Sequence, residues 1–212
     1  MKKMLLICSL FLCSFAQAYE QSRQVSTFSS IRSKSAFDLV VEVGQEQSIK
    51  IIGDKKFIDN LKTEVRGGEL LIAMKQNDPA KVDDTARVVI TVPSLVAFRM
   101  EGAGKTAINN VSGAQFDLFY ERADSITSAG WITVTGKVKN FKVKMQGLAA
   151  ADMKDLIAEQ VDASLEGVGT VKVYASEKLK VSLQGLGSVN YYGNPKSVTR
   201  TLLGLGSVSA GD

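Results

Sequence analysis

Along much of the chain apolar and polar residues alternate one for one. Phe141, Val143 and Met145 are separated by Lys142 and Lys144, Val161, Ala163 and Leu165 by Asp162 and Ser164, and Leu179, Val181 and Leu183 by Lys180 and Ser182. A period of two sends successive side chains to opposite faces, so each run predicts a half-buried strand with one face on a core. In the first half, residues 37–43, 48–52, 69–74 and 87–92 also read as strands. Gly44, Gly53, Gly67-Gly68 and Asn77-Asp78-Pro79 punctuate them. One stretch breaks the rule: Asp54 stands ahead of Phe57, Ile58 and Leu61, which predicts a short helix capped by Asp54. The expected class is all-β.

A second pattern overlies the first. Gly102, Ser128, Gly147, Gly167, Gly185 and Gly204 each open a bend, at intervals of 26, 19, 20, 18 and 19 residues. Two positions before each bend stand Met100, Ile126, Met145, Leu165, Leu183 and Leu202. One position after come Ala103, Ala129, Leu148, Val168, Leu186 and Leu205. Short strands recurring at this spacing predict a β-solenoid, a single-stranded and right-handed β-helix. Glycine at each bend would accept positive φ and let a neighbouring backbone pass closely. The repeat part is expected over 99–212, with a β-rich part over 19–98 continuing or capping it, the two forming one continuous domain over 25–212. The first interval has a second reading, with a degenerate corner at Glu121-Arg122-Ala123-Asp124.

The N-terminus changes the picture of where the chain works. Lys2 and Lys3, an apolar run over 4–15 and Ala16-Gln17-Ala18 predict a signal peptide over 1–18 and an exported product, periplasmic or at the cell surface. The run is shorter than the roughly 20 residues a membrane-spanning helix needs. Cys8 and Cys13 both lie inside it, and Ile7 and Leu12 precede them where lipid attachment requires a small residue. The 194 residues after Ala18 hold neither Cys nor His. That removes disulfides, thiol nucleophiles, histidine bases and the usual zinc ligands from the expected chemistry. The same residues carry 24 basic and 22 acidic side chains, a balance near +2, without a basic stripe interleaved with aromatics, so nucleic acid is not an expected partner. No cofactor is expected.

Three motifs invite chemistry. Gly104-Lys105-Thr106 imitates a phosphate loop, but position 99 is Arg99 where that motif needs glycine, and a turn at Asn109-Asn110 follows in place of a helix. Asp152, Asp155, Asp162 and Glu166 are the acid–base candidates that a β-helical polysaccharide-cleaving enzyme would use. Set among lysines, they read instead as a solvated face, with Glu166 in a polar column beside Gln146 and Gln184. Trp131 stands in a column otherwise made of Lys105, Ala150, Thr170, Ser188 and Ser207. The preferred reading packs it beneath a neighbouring loop or the N-terminal strands. The alternative makes Trp131 the contact for a sugar or a partner side chain.

The segments AFDLVVEVGQEQSIKI at 36–51, NLKTEVRGGELLIAM at 60–74 and VVITVPSL at 88–95 resemble the bacterial head GIN domain family, the "putative adhesins". The likeness continues through EGAGKTAI, EGVGTVKVYASEKLKVSLQGLGSVNYYGNP and the closing GLGSVS. Ser128-Ala129-Gly130 and Gly147-Leu148-Ala149 each lack one glycine of the pattern. The resemblance implies a β-helix-like fold in an exported protein and no reaction. The expected function is a non-enzymatic binding or structural module at the cell envelope; the alternative is a carbohydrate-active enzyme using the carboxylates. Expected partners are a glycan, an envelope protein or a second copy joined through the ends of the molecule.

Overall fold

The computed structural model of the chain describes residues 19–34, 37–75, 86–121 and 130–211. The signal peptide expected over 1–18, the turn at Asn77-Asp78-Pro79, the corner at Ser128 and residues 122–124 of the alternative corner lie outside them. The elements run β1 (Tyr19–Ser22), β2 (Ser30–Lys34), β3 (Asp38–Val43), β4 (Ser48–Gly53), α1 (Lys55–Asn60), β5 (Leu61–Arg66) and β6 (Glu69–Met74). They continue with β7 (Arg87–Val92), β8 (Ala97–Glu101), β9 (Gly104–Glu121), β10 (Gly130–Tyr192) and β11 (Ser197–Ala210).

Alternation becomes burial. Leu39, Val41 and Val43 of β3 and Val88, Ile90 and Val92 of β7 are buried, while the residues between them reach solvent. The buried side chains form one cluster extending from Phe28 to Val189. The expected helix is α1. The Phe57 amide donates to Asp54 Oδ1 at 2.6 Å, which satisfies one of the free donors of the first turn. Phe57 and Ile58 then reach the core, where Phe57 meets Phe37 edge-on at 5.7 Å.

The topology overturns the single-stranded β-solenoid, and with it the right-handed β-helix and its repeat. The chain forms a curled, half-barrel sheet of mixed strand order, β1-β4-β7-β3-β9-β8-β2-β6-β5, with β10 attached to β9 and β11 to β10. A single-stranded coil winds in one sense, so all its neighbours run parallel. Here β4 is antiparallel to both β1 and β7, and β5 is antiparallel to β6. Gly67 and Gly68, with φ of 57° and 78°, supply the tight turn that folds β5 back on β6. Elsewhere β2 pairs in parallel with both β6 and β8, and β3 with both β7 and β9. The ladders are also unequal. Gly130 faces Gly104, Phe141 faces Phe116 and Gly185 faces Gly204, offsets of 26, 25 and 19 residues. Alternation within a strand is the same in either orientation, so the local pattern that predicts the strands does not fix their direction.

Within β10 the chain curls past itself closely enough to require glycine. A Cβ on Gly185, whose φ is 122°, would sit 2.2 Å from the Gly167 carbonyl oxygen, and one on Gly167 would sit 2.3 Å from that of Gly147. Below this stretch Phe116 and Phe141 stack at 5.9 Å with their planes 9° apart. Buried Tyr120 ties β9 to two points of β10: its hydroxyl donates to the Leu148 carbonyl at 3.0 Å and accepts from the Gly130 amide at 3.2 Å.

Candidate functional site

The side chains that alternation turns outward near the bends are not all polar. Val168, Leu186 and Leu205, each one residue past a bend glycine, are 47%, 51% and 81% exposed. Their backbones are held in one ladder. Leu186 pairs with Leu205, and Gly185 and Gly187 approach the Gly167 and Gly169 carbonyl oxygens on either side of Val168. Three aliphatic side chains thus stand in a row on the outer surface, spaced by the ordinary distance between strands, about 4.8 Å. The sequence shows this column to be apolar, and its odd spacing from the inward Leu183 and Val189 was the signal that it faces solvent.

Trp131 is 51% exposed. It lies at the start of β10 opposite Lys105 of β9. The outward residues beside the row are polar and tied to one another. Glu166 accepts from Gln146 Nε2 at 2.6 Å and from Lys144 Nζ at 3.2 Å. The hydrogen bond from Gln146 and then the Lys144 ammonium hold its carboxyl below the usual glutamate range. Asp152 bonds Lys172 at 3.1 Å, and Ser188 bonds Thr170 at 3.3 Å.

The four candidate acids do not converge. Asp152, Asp162 and Glu166 each face a lysine, with Asp162 at 3.6 Å from Lys180, and Asp155 is exposed. Asp162 and Lys180 line an open trough of about 250 Å³ together with Asp117, Asn140, Lys142 and Lys178. Two of its amides are committed locally: Gln115 donates to Asp117 at 2.9 Å and Asn140 to the Ala114 carbonyl at 3.2 Å. Among the described residues no group of three acidic side chains is placed to hold a metal ion, and no helix is long and apolar enough to cross a membrane.

Residues 27–195 match the family model described as "Putative auto-transporter adhesin, head GIN domain". The chain belongs to this family. Among solved structures, the adhesin-family chain resembles a putative adhesin from Bacteroides fragilis, with a TM-score of 0.71 at 17% identity over 92% of this chain and 98% of that one. It also resembles a putative adhesin from Parabacteroides merdae, with a TM-score of 0.51 at 14% identity over 93% and 97%. A putative lipid binding protein from Parabacteroides distasonis overlaps more loosely, with a TM-score of 0.47 at 17% identity over 93% and 98%. At these identities the two likenesses to putative adhesins speak to fold alone. No curated protein matches the sequence.

Proposed function

We propose that this head GIN chain is an exported, non-enzymatic binding module that holds a partner at the cell envelope through its outward apolar row and Trp131. The observation that carries the reading is the row itself. Val168, Leu186 and Leu205 are large, exposed and fixed on a hydrogen-bonded ladder, so docking on them buries apolar surface without first ordering the backbone. The partner is a glycan or an envelope protein, and Trp131 is the contact that stacks on it. The family description, "auto-transporter adhesin", supports the same reading.

Glycoside cleavage needs two carboxyl groups flanking one bond, one of them kept protonated. The Gln146 hydrogen bond and the Lys144 ammonium favour the ionised form of Glu166, and Asp152 and Asp162 are each paired with a different lysine, which argues against the enzymatic alternative. A glycan array read alongside an assay for released reducing ends tests both readings. Binding without product, lost in Trp131→Ala at unchanged thermal stability, is the expected result. Product release, or binding indifferent to Trp131, would overturn the proposal.

A further inference from the structure

Among the described residues the mixed sheet ends in three edges of different character. β1 is four residues long. β5 carries Lys62, Glu64 and Arg66, with Glu64 bonded to both neighbours at 2.6 and 2.5 Å, the kind of charge that keeps an edge from pairing. β11 is the contrary case. It is fourteen residues long, pairs only with β10 among the described residues, and holds one charge, Arg200. Arg200 is turned back, its guanidinium donating to the Tyr191 hydroxyl at 2.6 Å.

The side chains of this edge depart from the column they continue. Gln184 pairs with Leu203, and the outward position that holds Gln146, Glu166 and Gln184 along β10 becomes leucine only at the edge. Leu203 is 62% exposed and Leu205 81%, the two most exposed large hydrophobics among the described residues. They flank Gly204, whose φ is 141° and where β11 bends.

We infer that β11 pairs antiparallel with β11 of a second copy about a two-fold axis through Gly204. A two-fold at that point places Gly204 against itself, Leu203 of each copy against Leu205 of the other, and Thr201 against Ser207. The most exposed leucines then cover one another, hydroxyls face hydroxyls, and the open backbone groups of the edge find partners. On the β10 side a Cβ on Gly204 would stand 2.4 Å from the Gly185 carbonyl oxygen, and glycine against glycine at the two-fold keeps the covering side free of Cβ atoms as well. Neither β1 nor β5 contains a glycine, whereas a second β11 brings Gly204 itself. The contact is isologous, so it closes at two copies instead of growing. It takes Leu205 at the edge of the apolar row into the dimer contact and leaves Trp131, Val168 and Leu186 open to a partner.

Sedimentation velocity of the full chain over a concentration series tests this. A dimer is expected, and Leu203→Glu should weaken it at least about tenfold, by the lost burial of Leu203 against Leu205, with an unchanged circular dichroism spectrum. Register is tested separately, with Cys8 and Cys13 replaced by serine: a Thr201→Cys chain mixed with a Ser207→Cys chain should form a disulfide dimer that neither forms alone. A monomer at every concentration, a ladder of larger species, a dimer untouched by Leu203→Glu, or failure of the mixed cross-link would each overturn the proposal.

Discussion

Replacing Gly185 by alanine combines two costs, of which Gly44 meets only one. Both have positive φ, 122° and 95°, but nothing lies within 4 Å of a Cβ on Gly44, whereas one on Gly185 would strike the Gly167 carbonyl oxygen. Gly44→Ala is expected to cost about 1–2 kcal/mol from backbone conformation alone. Gly185→Ala should cost about 3 kcal/mol or more, because a backbone atom is the obstacle and only a shift of the ladder relieves it. Urea denaturation of the two variants measures the difference; equal losses would contradict close approach at Gly185. Glu166 offers a pH test. Its folded-state value lies below 4.5, so the stability it contributes is fully present above that pH and is lost as pH falls through the lowered value. Glu166→Gln should therefore flatten the acid limb of the melting temperature between neutral pH and pH 3, and a limb unchanged by the substitution would show that the Gln146 and Lys144 contacts do not persist in solution.

At the scale of elements, Tyr120→Phe should destabilise the protein by about 1–3 kcal/mol, since it deprives the Gly130 amide and the Leu148 carbonyl of their shared partner while leaving the ring in place. Thermal unfolding checks it, and a neutral substitution would mean that water replaces the hydroxyl. The strands whose interiors are apolar, β3, β4, β6 and β7, and the helix capped by Asp54 were legible because their determinants are local: side-chain alternation and one capping carboxylate. β5 was not. Leu61, Thr63 and Val65 alternate with Lys62, Glu64 and Arg66, but the run is short and weakly apolar, only Leu61 is buried, and pairing with β6 is what holds it as a strand. Strand direction escaped for the same reason. β3 and β4 share one alternating pattern, yet one lies parallel and the other antiparallel to β7, a choice made by connections and by the whole sheet. Of the candidate site, Trp131 stood out in its small, polar column, but its exposure depends on which neighbours arrive above it. The aliphatic row was visible as a column and hidden as a surface, because apolar residues read first as core.

For the whole molecule, the sheet order binds the two halves of the chain together. β9, from after residue 98, and β8, which spans it, lie between β3 and β2, so the second half of the chain is inserted between two groups of first-half strands in one sheet. Unfolding is expected in a single transition, with far-ultraviolet circular dichroism and Trp131 fluorescence losing signal at the same urea concentration; two separated midpoints would mark independent parts. The sheet supplies a stiff frame, and the frame presents an apolar row and one indole to solvent. Because Trp131 is the chain's single tryptophan, its emission reports directly on that surface. The free protein should emit at long wavelength and be readily quenched by acrylamide. Addition of a cell-envelope fraction that retains the protein should shift the emission to shorter wavelength and protect it from quenching. Retention of the protein with both properties of Trp131 unchanged would contradict binding through this face.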